Sequence, residues 1–320
     1  MIVDASIVLF RPSADEVRQV ADRWSEIPKA IRHLRILVSA DNASQVLVRE
    51  TFSELGTRAI VTGRHDNLGF ASGHNRLARD GFEAGADCVL VINPDIQFDS
   101  AAIGVFLQSA RRVPEATLIG PWLEQIDEDG TKTGRADSLG IRWDASARHF
   151  DIGHGEPFPA GYVSGSVTPV AGVTGAFTLV PRAAYEKIMD AYGYFYDDYF
   201  LAYREDAELG IRAAMAGVPS VVVAQEGIRH VRSVRGSRRG RRLPDLLGVR
   251  NRFLMRWTLD QDRPGNPLIA QSRDAIVVLG SLTIERTSLP GLYSAFRIRR
   301  AASRRGIAGL GYDAVRRAQT

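Results

Sequence analysis

The stretch Asp87-Cys-Val-Leu-Val-Ile-Asn-Pro-Asp95 joins an unbroken apolar run to a polar turn. An apolar run of this length bounded by turn residues predicts a buried strand. Pro94 forces the turn and fixes the direction of Asp95. Because Mg²⁺ and Mn²⁺ prefer oxygen ligands, a carboxylate just past such a strand is well placed to hold a divalent cation. A generic Asn-Pro-Asp turn explains the same residues.

Apolar strands alternate with amphipathic helices on either side of this stretch. Ser13 and Glu16 form a capping box that starts the first helix, which is expected to run to about Ile27. Strands are predicted at residues 2–10, 33–38, 58–62, 87–92 and 117–120, with further helices at 45–55, 72–84 and 99–113. This alternation predicts an α/β fold with a mainly parallel central sheet flanked by helices, which binds ligands at the carboxyl ends of its strands.

The pattern changes beyond residue 120. Residues 121–168 are rich in Gly, Pro, Asp and Ser, which favours loops and a hairpin around Asp129-Gly130. Residues 170–180 and 218–223 read as strands, and 182–191 and 205–216 as helices. After Pro244 the chain is expected to be helical, with breaks near 264–267 and at Pro290.

Composition excludes several classes of protein. The chain has 320 residues and one cysteine, Cys88, so it cannot hold an internal disulfide and a cysteine zinc site is disfavoured. Its start lacks the features of a signal peptide, and no run of about 18 apolar residues occurs, so a cytoplasmic protein without a membrane span is expected. Residues 229–242 are rich in arginine and hold no acid, which suits either contact with a phosphate group, contact with an anionic membrane surface or exposure to solvent. Membrane contact would place the protein peripherally at the inner face of the membrane. A second basic region runs over residues 297–305.

Two polar motifs follow predicted strands in the first third. In Asp41-Asn-Ala-Ser44 the carboxylate is able to accept the N3–H of a uracil or thymine ring, but a turn at Asp41 and Asn42 followed by a helix cap at Ser44 is the simpler interpretation. In Asn67-Leu-Gly-Phe-Ala-Ser-Gly-His-Asn75, glycines allow a close approach of the backbone to phosphate at a helix N-terminus, and a plain connecting loop is equally consistent.

A third motif, Tyr203-Arg-Glu-Asp206, opens a predicted helix. Adjacent acids suit the positive end of a helix dipole, yet a positioned carboxylate is also able to take the proton of an attacking hydroxyl. Further on, a neutral imidazole at His230 could complete a metal shell, although a single histidine is more often structural.

Taken together, these motifs resemble glycosyltransferase family 2, which has the GT-A fold, and within it the rhamnosyltransferase-like branch. The resemblance runs from about residue 6 to 233 and adds the motifs Val-Thr-Gly-Ala-Phe at Val173 and His-x-x-Ser at His230. It implies a GT-A catalytic domain over 1–240, with a nucleotide-binding half (1–120) and an acceptor half (121–240). A helical C-terminal extension would follow over 241–320.

The resemblance also implies a role for each motif. Nucleotide and donor contacts are expected from Asp41, Asn67, Gly69, Asn93, Asp95 and Gly175. Asp95 and His230 would bind Mg²⁺ or Mn²⁺. Asp206 would be the general base, with Glu205 beside it. Many members carry Asp-x-Asp at the metal site, so Asn93 removes one charged ligand, as it often does in the rhamnosyltransferase-like branch.

The expected reaction is an inverting transfer of a sugar from a nucleoside-diphosphate donor to an acceptor hydroxyl. By resemblance the donor is dTDP-rhamnose first and a UDP-sugar second, and the acceptor is a bacterial surface polysaccharide or its lipid-linked precursor. A catalytically degenerate nucleotide-sugar-binding relative is the alternative. A nucleic-acid-binding module is disfavoured because no aromatic residue interrupts 229–242, and a nicotinamide dehydrogenase because G-x-G-x-x-G is absent.

Overall fold

We describe a computed structural model of the chain over residues 1–25, 27–231, 242–259 and 265–304. Most of the arginine-rich segment singled out above, 232–241, lies outside these residues, so its predicted contact with phosphate or a membrane stays a prediction.

An eight-stranded sheet forms the centre of the fold. Its strands are β1 (Val3–Phe10), β2 (Ile31–Ser39), β3 (Ala59–Arg64), β4 (Cys88–Ile92), β6 (Leu118–Pro121), β11 (Val167–Val170), β12 (Phe177–Pro181) and β13 (Ser220–Val223). They lie in the order β11-β13-β6-β12-β4-β1-β2-β3. Neighbouring strands are parallel in four pairings and antiparallel in the three that involve β12 and β11. The predicted α/β fold is confirmed, and its first four strands are all parallel.

Helices cover both faces of this sheet, and the capping box predicted at Ser13 and Glu16 is present at the start of α1. The helices of this part are α1 (Ala14–Arg23), α2 (Asn42–Thr51), α3 (Gly69–Glu83), α4 (Ser100–Ala110), α5 (Arg182–Tyr192) and α6 (Glu205–Met215). The C-terminal helices are α7 (Arg242–Leu259), α8 (Pro267–Thr283) and α9 (Leu289–Arg304). None of the helices in the described ranges is both long and apolar enough to cross a membrane.

The unbroken apolar run of β4 is explained by two cores. Cys88, Leu90 and Ile92 pack into the hydrophobic cluster on one face of the sheet, and Val89 and Val91 into the cluster on the other. A strand covered on both faces has no polar side, and each such side chain contributes about 1.5–3 kcal/mol by leaving water. The strand therefore holds the following turn on a rigid base.

A second, four-stranded sheet has the order β5-β14-β7-β8 and lies beyond the end of β4. Its strands are β5 (Ile96–Phe98), β7 (Leu123–Ile126), β8 (Lys132–Ser138) and β14 (Ile228–Val231), and a two-stranded pair, β9 (Ile141–Trp143) and β10 (His149–Asp151), stands apart from it. β7 and β8 form the hairpin predicted around Asp129-Gly130. β5 and β14 escaped prediction because each is very short and gains its partner only from a distant part of the chain.

Two sequence-based boundaries were wrong. The single strand expected over 170–180 is two strands, because β11 pairs with β13 near the sheet edge while β12 lies beside β4 in the centre. Residues 171–176 cross between these positions and so leave the sheet. The break expected at Pro290 occurs at 284–288 instead. Pro290 lies in the first turn of α9, where a missing N–H costs little.

Candidate active site

Two backbone contacts join the predicted site residues at the carboxyl edge of the sheet. The N–H of Asn93, just past β4, donates to the carbonyl of Ala176 at 2.9 Å. The N–H of Gly175, the residue before Ala176, donates to Oδ2 of Asp206 at 3.0 Å. The Asn93–Asp95 turn and the start of α6 therefore meet across the short crossing segment before β12, which the sequence had placed inside a strand.

His230 lies against Asp95 because β5 follows the Asn93–Asp95 turn directly and pairs with β14. Its Nε2 is 3.2 Å from Oδ1 of Asp95, and its Nδ1 is 2.7 Å from Oδ2 of Asp137. His230 and Asp137 are buried, whereas the Asp95 side chain is 48% exposed. Asp137 therefore fixes the imidazole of His230 and directs its Nε2 toward the accessible carboxylate of Asp95.

This arrangement fits a divalent cation. Adjacent ligands of an octahedral ion, each at about 2.1 Å, lie about 3 Å apart, close to the 3.2 Å between Asp95 and His230. Among the described residues no group of three or more His, Cys, Asp or Glu could hold a metal ion. Two protein ligands leave the remaining positions to water and substrate oxygens, which is usual for Mg²⁺ and Mn²⁺ at phosphate sites.

Asp137 is a site residue that the sequence analysis missed. It lies on β8, in the region where no clear periodicity appeared, and it is fully buried beside His230. A carboxylate that holds the second nitrogen of a metal-binding histidine fixes the ring and raises its basicity. Burial lowers the pKa of His230, but hydrogen bonds to Asp137 and Asp95 outweigh it and raise the pKa to about 9. A cation that binds here must therefore displace a proton from His230.

Asp206 is held by two backbone donors at the start of α6. Besides Gly175, the N–H of Ala207 donates to its Oδ1 at 2.8 Å. Burial raises the pKa of Asp206 above its ordinary value, and the hydrogen bonds from Gly175 and Ala207 oppose that rise. The side chain is half-buried. A carboxylate of fixed orientation with a raised pKa has the properties of a general base.

Glu205 differs from its neighbour. It is 6% exposed, and its Oε2 is buried without a hydrogen-bond partner among the described residues. Burial, followed by the charge of Asp206, raises the pKa of Glu205 well above its ordinary value. The two adjacent acids thus have different environments, because backbone hydrogen bonds oppose the rise in pKa mainly at Asp206, whereas burial and a neighbouring charge both raise the pKa of Glu205.

The loop before α6 has a rare backbone conformation. Leu201, Tyr203 and Arg204 have φ of 61°, 70° and 75°, a region that non-glycine residues seldom adopt. Each such residue costs about 1–3 kcal/mol unless its surroundings impose the conformation. The Leu201 carbonyl is held by the N–H groups of Phe70 and Ala71 at the start of α3, at 2.6 and 3.2 Å.

A second support comes from α7, and we call Arg250 and Asn251 the α7 brace. Nδ2 of Asn251, which is fully buried, lies 2.7–2.9 Å from the carbonyls of Phe200, Ala202 and Tyr203. Nη2 of Arg250 donates to the carbonyls of Tyr199 and Phe200, each at 2.7 Å. The only sequence signal was a run of three polar residues, 250–252, inside an otherwise apolar stretch of helix.

The predicted nucleotide-pocket residues Asn67 and Gly69 form the turn into α3. Oδ1 of Asn67 accepts from the N–H of Gly69 at 2.9 Å, and Gly69 has φ of +67°. A Cβ at Gly69 would lie 2.4 Å from the carbonyl oxygen of Leu201, so only glycine fits. Contact of Asn67 and Gly69 with a nucleotide stays a prediction, whereas Gly69 lies directly against Leu201 in the loop before α6.

Asp41 follows β2, two strands from β4, or about 10 Å away at ordinary strand spacing. Its carboxylate is exposed and caps α2 by accepting from the N–H of Ser44 at 2.8 Å. The helix cap is therefore Asp41, and not Ser44 as the simpler interpretation predicted. That backbone hydrogen bond lowers the pKa of Asp41. A role in binding a nucleobase stays a prediction.

Comparison with known proteins gives a relative in sequence and several in structure. No family model matches the chain. The chain is 29% identical over 238 residues to the N-acetylglucosaminyl-diphospho-decaprenol L-rhamnosyltransferase of Mycobacterium tuberculosis, in both strain CDC 1551 / Oshkosh and strain ATCC 25618 / H37Rv. That alignment covers 68% of this chain and 76% of the relative.

Among solved structures, GalNAc-T7 with UDP, GalNAc and Mn²⁺ aligns with a TM-score of 0.53 at 10% identity, over 81% of this chain. The chain spans only 48% of that protein. S. aureus TarS 1–349 aligns with a TM-score of 0.51 at 10% identity, over 99% of this chain and 90% of the other. At such low identity the likeness shows the fold alone.

Sequence and structure thus lead to one assignment. The chain has the GT-A fold, and its resemblance to the rhamnosyltransferase-like glycosyltransferases, predicted from its motifs, is confirmed.

Proposed function

We propose that the chain is an inverting glycosyltransferase of family 2 that moves a sugar from a nucleoside-diphosphate donor to an acceptor hydroxyl. One observation carries this proposal. The Asp95–His230 pair, which suits a cation, and Asp206, which suits a general base, are joined through Gly175, Ala176 and Asn93 at one edge of the sheet. A donor whose diphosphate is bound at Asp95 and His230 would place its sugar toward Asp206.

In the reaction the acceptor oxygen attacks the anomeric carbon as the bond from that carbon to the diphosphate oxygen breaks. The acceptor proton passes to Asp206, whose carboxylate is held in place by Gly175 and Ala207. A single displacement of this kind inverts the anomeric configuration and needs no covalent intermediate. Mg²⁺ or Mn²⁺ bound at Asp95 and His230 would offset the charge of the departing diphosphate.

Substrates are proposed from the relative and the motifs. The M. tuberculosis relative is named for L-rhamnose and for an N-acetylglucosaminyl-diphospho-decaprenol acceptor. dTDP-rhamnose is therefore the first donor to test, a UDP-sugar the second, and a lipid-diphosphate-linked saccharide the acceptor. Asp41 would bind the nucleobase, Asn67 and Gly69 would line the nucleotide pocket, and Gly175 would lie beneath the sugars.

The test is donor binding followed by transfer. Thermal shift across dTDP- and UDP-sugars, with and without Mn²⁺, should reveal one donor that stabilises the fold by about 2.7 kcal/mol at a hundred times its Kd. Asp206→Asn should keep this shift and lose all but a residual rate of sugar transfer, whereas Asp95→Ala should lose the metal-dependent part of the shift. Asp190→Asn, an exposed acid on α5, is the matched control. A folded protein that binds no donor would support the degenerate relative instead.

A further inference from the structure

Helix α8 turns apolar side chains toward solvent, whereas an ordinary surface helix turns polar side chains toward solvent. Its outward positions carry Leu268, Ile276, Leu279 and Leu282, which are 74, 69, 61 and 53% exposed. No charged residue is among the exposed positions of α8. Because surface helices of soluble proteins normally turn their polar side to water, an outward apolar side of this length marks an interaction surface.

The two charged residues of α8 point inward. Asp274 is 3% exposed and pairs with Arg252 and Arg256 of α7. Arg273 donates to Oγ of Ser146 at 2.7 Å. These contacts fix the rotation of the helix, so the apolar residues cannot turn toward the protein without breaking a buried ion pair.

Exposed apolar residues continue beyond α8 into α9, which packs against it. Ile284 is 83% exposed, and Tyr293 and Phe296 on α9 are 67 and 52% exposed. We call the seven residues of this surface the α8–α9 face: Leu268, Ile276, Leu279, Leu282, Ile284, Tyr293 and Phe296.

The charge beside the α8–α9 face is mainly positive. Residues 285–304 contain five arginines and one acid, the partly buried Glu285. Arg286 and Arg297 are exposed, and the Arg297 guanidinium lies 5.9 Å from the centre of the Tyr293 ring. Apolar and aromatic side chains next to arginines match the boundary between the acyl chains and the anionic headgroups of a bilayer. A symmetric contact between two copies would instead bring both sets of arginines together.

We propose that the α8–α9 face docks the protein onto an anionic membrane. The apolar and aromatic residues enter the headgroup–acyl boundary, and Arg286 and Arg297 contact lipid phosphates. Both helices lie in the plane of the surface. The inference rests on the orientation of α8 and on charge, and it does not require the proposed transfer reaction. A lipid-linked acceptor would reach the protein from the same membrane.

The test is co-sedimentation of the full chain with vesicles of phosphatidylcholine alone or mixed with phosphatidylglycerol. Binding is expected to the mixed vesicles and to weaken with salt. Ile276→Gln/Leu279→Gln/Leu282→Gln should lower the partition coefficient at least about tenfold, and Arg286→Gln and Arg297→Gln about fivefold each. Because all five side chains are exposed, the variants should fold. Val46→Gln/Val163→Gln, at exposed apolar positions elsewhere, is the matched control and should bind normally.

Three outcomes would overturn the proposal. They are no binding of the unaltered chain to mixed vesicles, equal binding by the triple variant, and a concentration-dependent dimer that the triple variant abolishes while vesicle binding is absent. The donor-induced thermal shift is measured on the same samples. Loss of that shift with vesicle binding intact would refute the proposed function and leave membrane docking standing, and the reverse result would refute docking alone.

Discussion

The backbone N–H of Gly175 lies 3.0 Å from Oδ2 of Asp206, and the same glycine has little room for a side chain. A Cβ at this position would approach Cζ of Phe70 to 3.0 Å and Cβ of Asp206 to 3.5 Å. Gly175 therefore has two effects on the site: its N–H donates to Asp206, the proposed base, and its lack of a side chain leaves space beside Asp206.

Gly175→Ala should lower kcat about tenfold while the protein stays folded, because Phe70 or Asp206 must shift by a few tenths of an ångström and small misplacements of catalytic groups are costly. Steady-state kinetics and thermal unfolding check this. Gly104→Ala on α4, where a Cβ would meet nothing within 4 Å, is the matched control and should keep full activity. Unchanged kcat in Gly175→Ala would refute the tight fit.

The raised pKa of Asp206 predicts the acid limb of the pH–rate profile. A general base acts only when unprotonated, so kcat/KM should rise with pH through a pKa higher than that of an ordinary aspartate. Asp206→Glu should move this limb, and Asp206→Asn should leave residual activity without it. An acid limb unaltered by either substitution would assign the base to another group.

Glu205 predicts the pH dependence of stability. Since its pKa is raised in the folded state, its contribution to the free energy of unfolding is fully present below the pKa of an unfolded glutamate. That contribution is lost as pH rises through the folded pKa. Glu205→Gln should therefore make the protein more stable than the parent at alkaline pH, by urea unfolding. Parallel stability curves for the two proteins would contradict a raised pKa of Glu205 in the folded state.

The α7 brace predicts that a residue far along the chain controls the rate. Asn251→Ala removes the amide that lies 2.7–2.9 Å from the carbonyls of Phe200, Ala202 and Tyr203, at a cost of about 1–3 kcal/mol in stability. The Phe200 carbonyl keeps its hydrogen bond from Arg250. Below the unfolding temperature, kcat should fall about a hundredfold with little change in donor affinity, because the strained loop no longer fixes Asp206. Asn266→Ala, which removes the cap of α8, costs about 1 kcal/mol and should leave kcat unchanged. Equal kcat in both variants would make the brace merely structural.

Asp137 predicts a metal effect without being a metal ligand. Asp137→Asn should weaken Mn²⁺ binding 10- to 100-fold, as loss of the carboxylate behind a ligating histidine does. Titration of Mn²⁺ in the presence of donor measures this, with Asp129→Asn in the exposed hairpin turn as control. Equal Mn²⁺ affinity in both variants would remove His230 from the cation site.

Local sequence signals predicted the elements that depend on residues adjacent in the chain. The apolar run before Asn93 predicted β4, the Ser13 capping box predicted α1, and the order of motifs predicted the fold. The features that the sequence analysis missed depend on contacts between residues far apart in the chain. Asp137 carries no local signal, since its role comes from His230, 93 residues away, and the strand break after residue 170 follows from the sheet position of its partners. Asn251 was missed because a buried asparagine in a helix says nothing of the loop it contacts.

The α7 brace bears on how this protein can be cut and recombined. A fragment ending at residue 240, the boundary predicted from sequence, would retain every motif and yet lack the groups that hold Leu201, Tyr203 and Arg204 in place. A chimaera that joins this catalytic half to the C-terminal helices of a relative would need an amide and a guanidinium at the positions of Asn251 and Arg250. For protein engineers, α7 therefore belongs to the catalytic module.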